Sequence, residues 1–329
     1  MDSTFRQIPP IALQDLKRDL LHGDRVALSR AITLIESKRD DDRKQAGLLI
    51  DAILSKTGNS IRIGITGVPG AGKSSFIEVF GTMLTALGKR VAVLSIDPAS
   101  SKSKGSILGD KTRMETLSKN ELAYIRPSSS GTIPGGVASH TCEAILLCEA
   151  AGYDVIIVET VGVGQSETMV KEMVDYFLLL MLSGGGDELQ GIKRGIMEMA
   201  DHILINKADG ANLEAAKKAA KAYQNAVHLF PAHEAGWTVP VATCSALEKT
   251  GIKGVWSKIE AFRQLTAGDW FEQNRRLQDI KWFHALIRSA LELNFFGKAN
   301  IKEAISRKEA LISARKISVR KAVQELFDS

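Results

Sequence analysis

The chain has 329 residues, 44% of them hydrophobic and 25% charged, and a formal net charge of +5. That length suits one large α/β domain with additions, while the longest apolar run, around residues 177–182, is far too short to span a bilayer. The opening MDSTFRQIPP lacks the layout of a secretory signal, and the three scattered cysteines, Cys142, Cys148 and Cys244, argue against a disulfide framework or a Cys-x-x-Cys metal site and read as buried thiols. A cytoplasmic protein with no membrane partner is expected.

Residues 1–55 form a helical extension. Ile11, Leu13, Leu16, Leu20 and Leu21, then Val26, Leu28, Ile32 and Ile35, then Ala46, Leu48, Leu49, Ile50 and Ile53 recur near helical spacing, and no chemistry is visible among them. Residues 56–268 alternate strands and helices. Strands are predicted at 61–66, 91–96, 123–126, 155–159, 177–182, 202–206 and 239–244, and helices at 73–87, 137–150, 213–226 and 252–265. Such alternation implies a mostly parallel sheet covered on both faces, with ligands at the carboxyl ends of the strands.

The first predicted strand leads into GVPGAGKS, which satisfies G-x-x-x-x-G-K-[ST] in the required strand, loop and helix setting. Glycines let backbone N–H groups approach a phosphate, and the helix start adds further N–H groups and the positive end of its dipole. Gly67, Val68, Pro69, Gly70, Ala71, Gly72, Lys73, Ser74 and Ser75 are therefore assigned to a triphosphate, with Lys73 on the β- and γ-phosphates and the Ser74 hydroxyl on Mg²⁺. This motif alone leaves GTP and ATP open.

Carboxylates follow at strand ends. Asp97 closes the second strand and is a candidate for the metal, directly or through water, and Asp110 is a second candidate at the end of the polar stretch 99–109. Glu159 stands where P-loop GTPases commonly carry the Asp of D-x-x-G, with Gly162 as the glycine of that motif. Val163 occupies the place of a water-orienting glutamine and Gln165 lies two positions on, so slow intrinsic hydrolysis is expected. The segment SGGGDELQGIKRGIMEM, residues 183–199, reads as a further nucleotide-responsive loop.

Asn206-Lys207-Ala208-Asp209 after the sixth strand supplies the guanine code. A carboxylate at Asp209 accepts both the N1–H and the exocyclic amine of guanine, whereas adenine would leave it unpaired. Ser245 and Ala246, with Leu247 beside them, match the turn that supports the base through backbone N–H groups. The last section, residues 269–329, carries Leu277, Ile280, Phe283 or His284, Ile287 and Leu291 at helical spacing. That stripe suits packing on the chain's own N-terminal helices or a dimer arm equally. The surplus of four positive charges in this section is interleaved with acids, which favours a solvated helical face over a nucleic-acid partner.

GVPGAGKS at 67–74, SIDPAS, ETVGVGQSE at 159–167, SGGGDELQGIKRGIMEMAD at 183–201 and NKAD at 206–209 together resemble the MeaB/ArgK family of P-loop GTPases over nearly the whole chain. The resemblance implies an α/β P-loop NTPase fold with a helical C-terminal dimerisation arm over 269–329 and a homodimer. It implies a GTPase chaperone of adenosylcobalamin-dependent methylmalonyl-CoA mutase that gates cofactor delivery, protects the mutase from inactivation and is stimulated by it. By position, Lys73, Asp97 and Glu159 would be catalytic, Ser74, Asp97, Asp110 and Glu159 would surround Mg²⁺, and Asn206, Lys207 and Asp209 would hold the guanine of GTP or GDP. Gln190 and Lys193 would belong to a switch that responds to the mutase, beside Gly162 and Gln165. The alternatives are a protein kinase of an arginine/ornithine transport system and a nickel metallochaperone GTPase; no His-rich tract supports the latter.

Overall fold

A computed structural model describes residues 12–37, 39–96, 114–127, 136–160, 166–183 and 194–327. The chain divides into two compact units, with the boundary between Gln278 and Asp279.

The first unit opens with three helices, α1 (Leu13–Leu21), α2 (Arg25–Ile35) and α3 (Asp40–Ile53). Asp24 caps α2 by accepting from the Ala27 N–H at 2.6 Å, and Asp40, Asp41 and Asp42 set negative charge in the first turn of α3. Leu20, Leu28, Ile32, Leu49 and Ile53 are buried where these helices meet one another and α6 (Gly136–Ala150).

The sheet contains β1 (Ile61–Gly67), β2 (Val91–Ile96), β3 (Ala123–Arg126), β4 (Val155–Thr160), β5 (Tyr176–Leu182), β6 (His202–Asn206) and β7 (Val241–Thr243). Their order is β3-β2-β4-β1-β5-β6-β7 and each recorded pairing is parallel. Six strands stand within one residue of the predicted runs, because a strand buried on both faces reads as a continuous Val, Ile and Leu run; β7 covers only 241–243 of the predicted 239–244 and is only partly buried. Alternate residues of each strand serve opposite faces: Ala92, Leu94, Ile156 and Val158 pack with the N-terminal helices and α6. Ile63, Ile65, Val93 and Ile157 pack instead with Phe76 and Phe80 of α4 (Lys73–Ala86) and Phe262 of α10 (Ile252–Thr266). On β5 and β6, Leu179, Met181, Ile203 and Ile205 meet Ala216 and Tyr223 of α9 (Leu213–Val227).

Three short helices join this frame: α5 (Glu115–Lys119), α7 (Ser166–Lys171) and α8 (Arg194–Glu198). The sequence pattern does not announce them, since five or six residues are too few to show a helical period. The long α11 (Asp269–Phe296) begins in the first unit, where Trp270 packs near Phe262 and the Arg275 guanidinium lies 4.5 Å from the Phe271 ring centroid.

The second unit continues α11 and adds α12 (Ala299–Ser313) and α13 (Val319–Phe327). Phe295 stacks on Phe327 with ring centroids 4.8 Å apart, and Lys308 pairs with Glu325. Ile280, Phe283 and Leu291 on α11 are each more than half exposed, at 53%, 59% and 63%. Among the described residues no helix is long and apolar enough to cross a membrane. Cys148 and Cys244 are buried as expected, but Cys142 is only partly covered, because it lies at the margin of the α6 core rather than inside it.

Candidate nucleotide site

In a parallel sheet the carboxyl ends of all strands share one edge, and the functional motifs gather there. Gly67 ends β1 with φ +155°, and a Cβ on it would come within 2.1 Å of the Leu180 carbonyl on β5, so only glycine lets the two strands lie this close. The chain then turns through Val68, Pro69, Gly70 and Ala71 to Gly72, whose φ of +83° places it in the left-handed region at the start of α4. Pro69 and Gly70 are exposed, Ala71 is buried, and Val68 is packed on the core. No side chain caps α4, so its first-turn N–H groups remain suited to an anion.

Lys73 turns back over this loop, its Nζ donating to the Gly67 carbonyl at 3.0 Å. Burial lowers the ammonium pKa, and the neighbouring Glu159 and Glu167 carboxylates oppose that shift. Ser74 Oγ donates to Glu159 Oε1 at 3.0 Å, which sets a hydroxyl and a buried carboxylate side by side beneath the loop. Ser75, one position on, is exposed. A hard-oxygen pair of this kind fits Mg²⁺, an ion that takes one or two protein ligands and fills its remaining positions with water and phosphate oxygens. Among the described residues no group of three or more His, Cys, Asp or Glu side chains forms a metal cluster. Asp97 and Asp110, assigned to the metal from sequence, lie outside the described residues, as do Gly162, Gln165, Gln190 and Lys193.

The segment 206–209, assigned from sequence to the base, is attached directly to the glycine-rich loop. Asn206 is buried, and its Nδ2 donates to the Ala71 carbonyl at 2.7 Å, a contact across 135 positions of chain. Its Oδ1 accepts from the Ala246 N–H and the Cys244 thiol, each at 3.3 Å. Asn206 therefore serves as a tie between the phosphate loop and the Ser245-Ala246 turn, a role that spacing in sequence cannot show. A Cβ on Gly72 would lie 2.8 Å from that amide nitrogen, so Gly72 provides the opening through which the tie is made.

Lys207 is exposed with φ +58°, and its carbonyl accepts from Asn212 Nδ2 at 2.6 Å. That left-handed residue turns the chain so that Asp209, half-buried, faces the Ser245 hydroxyl, which donates to its Oδ2. Ser245 is itself buried and accepts from the Glu248 N–H at 3.0 Å. Gly251, with φ +76°, brings the turn within reach of the Thr243 carbonyl, where a Cβ would sit only 2.5 Å away. Leu247, at the crest of this turn, is 82% exposed. Thus Lys73, Ser74, Glu159, Asn206, Asp209, Ser245 and Ala246 lie on one connected edge of the sheet. A buried hydroxyl pair missed in sequence, Thr66 with Thr160 at 2.9 Å, joins β1 to β4 just below it.

A phosphate loop opening a helix on a parallel sheet, with NKAD at the end of a strand on the same edge, defines a P-loop nucleotide-binding protein with the marks of a GTPase. The chain matches the family model described as "Methylmalonyl Co-A mutase-associated GTPase MeaB" over residues 28–300. It belongs to that family of P-loop GTPases. It is 53% identical over 287 residues to a putative GTPase of Caulobacter vibrioides, covering 87% of each chain. It is 44% identical over 312 residues to GTPase ArgK of Escherichia coli, covering 94% of each. Against the mitochondrial methylmalonic aciduria type A homolog of Mus musculus, identity is 43%, over 94% of this chain and 77% of the relative. A crystal structure described as a LAO/AO transport system kinase superposes with a TM-score of 0.76 at 37% identity, covering 98% of both chains.

Proposed function

We propose that this GTPase binds GTP with Mg²⁺ and serves as a chaperone of adenosylcobalamin-dependent methylmalonyl-CoA mutase, gating cofactor delivery and protecting the mutase from inactivation. The observation that carries the nucleotide assignment is the Asp209 carboxylate held by Ser245 on the same sheet edge as Lys73 and the Ser74–Glu159 pair. An oriented carboxylate selects guanine because it can satisfy the N1–H and the exocyclic amine of that base, whereas adenine offers an acceptor at N1 and no amine at C2. Lys73 would neutralise the β- and γ-phosphates, and its partial burial strengthens that attraction by keeping water away. Ser74 and Glu159 would hold Mg²⁺, which when bound offsets charge that develops between the β- and γ-phosphates. Asp97 and Asp110 complete the proposed metal set, and Gly162, Gln165, Gln190 and Lys193 the proposed switches.

The mutase as partner is supported by the family description and by the name of the mouse relative. The exposed apolar side chains of α11 support a homodimer, with residues 269–329 as its arm, and a cytoplasmic setting belongs to the same reading. Low turnover alone, rising when methylmalonyl-CoA mutase is added, is the expected behaviour. GTP hydrolysis measured with and without the mutase tests it, and no rise together with no complex on a sizing column would sink the partner assignment. Phosphate transferred to a protein instead of to water would favour the kinase alternative.

A further inference from the structure

Two residues of the kind that cap helices leave helix starts uncapped beside the proposed base site. Asp209 precedes a single 3₁₀ turn, Gly210–Asn212, and Asn212 stands at the N-cap position of α9, yet neither side chain caps the helical backbone that follows it. Asp and Asn are among the residues best suited to that bond, and a helix start without it is less stable. For Asp209 the reason lies across the sheet edge, where the Ser245 hydroxyl donates to its carboxylate. Asn212 is turned to two other partners. Its Nδ2 donates to the Lys207 carbonyl at 2.6 Å, and its Oδ1 accepts from the Ser183 hydroxyl at 2.5 Å.

The amide can face only one way here, because a backbone carbonyl accepts and does not donate. Its donor end therefore belongs to Lys207, a residue with a Cβ in the left-handed region at φ +58°. Such a conformation is disfavoured for any residue but glycine and persists only where the surroundings impose it. The peptide that joins Lys207 to Ala208 is gripped at both ends: its carbonyl accepts from Asn212, and its N–H donates to the Cys244 carbonyl at 2.9 Å. That peptide sets the direction in which the chain leaves β6 for Asp209. The Asn212 N–H closes the same turn by donating to the Asp209 carbonyl at 2.9 Å. Ser183 follows β5, the neighbour of β6, so the amide is braced against the adjoining strand end.

We propose that Asn212 is a positioning residue for guanine. By holding the peptide after Lys207, it sets the Asp209 carboxylate where the N1–H and the exocyclic amine of the base can both reach it. Its effect passes through the backbone of Lys207 and needs no contact with the nucleotide. The proposal rests on the guanine reading above and deepens it by naming a residue outside NKAD and the Ser245 turn that governs base selectivity.

The test is titration calorimetry of the full chain with GDP and with inosine diphosphate, which keeps the N1–H of guanine and lacks its exocyclic amine. The wild type is expected to favour GDP at least about tenfold, because a hydrogen bond to a charged acceptor is lost with the amine. Asn212→Ala should weaken GDP about tenfold and inosine diphosphate no more than about threefold, narrowing the preference to about threefold. A loss of folding or of phosphate binding would weaken both nucleotides alike and leave their ratio unchanged. Asn212→Asp separates the Lys207 bond from the stability of α9. A carboxylate at that position still accepts from Ser183 and suits the positive end of the helix, but it cannot donate to the Lys207 carbonyl. It should narrow the preference as Asn212→Ala does. An unchanged preference in either variant would overturn the positioning role while leaving the guanine assignment intact. A wild type that binds the two diphosphates equally, or binds neither, would overturn the guanine assignment itself.

Discussion

The two edges of the sheet treat charge in opposite ways. At the carboxyl edge Lys73 meets a single backbone carbonyl, α4 starts without a side-chain cap, and Ser74 and Glu159 face each other as two oxygens. At the amino edge the protein satisfies its own charges. Arg62 of β1 makes a bidentate pair with Glu149 at 2.9 and 3.0 Å, and Glu149 also accepts from Ser60 Oγ at 2.7 Å and the Gly58 N–H at 2.9 Å. Arg275 of α11 reaches Asp175 at 2.8 and 2.7 Å and donates to the Gly58 and Ser60 carbonyls, both at 2.8 Å. Burial alone would raise the Glu149 pKa, but Arg62 beside it holds the carboxyl below its ordinary value. The difference separates stability from the proposed function: the ion-paired groups of the amino edge tie elements together, and the carboxyl edge carries the residues proposed to meet the nucleotide.

Substitutions at the two edges should therefore separate folding from binding. The largest effect is expected from Glu149→Ala, which strands the buried Arg62 guanidinium and should cost about 3–5 kcal/mol in urea unfolding. The folded fraction should still bind GTP within about threefold of the wild type. Lys73→Met should do the reverse, weakening GTP about a hundredfold, or about 2.7 kcal/mol, in titration calorimetry. Its melting temperature should hold or rise, because the native Lys73 charge is kept against the cost of burial. A Glu149→Ala protein that is stable but blind to GTP would contradict this division.

A smaller effect comes from His202, at the start of β6 on the amino edge. Both ring nitrogens are buried without a hydrogen-bond partner, the ring meets Tyr176 edge-on at 6.2 Å, and burial, with Lys258 nearby, pushes its pKa down to about 4. The unfolded chain takes up this proton near pH 6.5 and the folded chain does not, so stability is full above that pH and falls as the solution is acidified towards pH 4. The loss attributable to His202 should be about 2 kcal/mol between pH 6.5 and 5. Chemical denaturation across that range in the wild type and His202→Leu measures it; parallel pH profiles would show that His202 is not the source.

How far each feature could be read from sequence follows from how local its cause is. The strands were legible because continuous apolar runs bounded by turn residues have few other uses in a chain of this composition. GVPGAGKS and NKAD were legible because each chemistry requires particular residues at fixed spacing. Lys171, Glu149, Asp175, Asp201 and Arg275 carried no such signal, since a charged residue in sequence looks the same whether it is solvated or buried in a pair. The short α5, α7 and α8 escaped for want of a period.

By itself, then, the sequence determined the strand–loop–helix pattern of the proposed phosphate cradle and the proposed base code, since both depend on residue type within a few consecutive positions. Only the tertiary structure decided that Asn206 binds the phosphate loop to the base turn, that Ser245 aims Asp209, and that Asp201 joins the ends of α7 and the β6 entry. Those roles depend on atoms brought within about 3 Å across long stretches of chain, a distance that folding sets and local pattern does not.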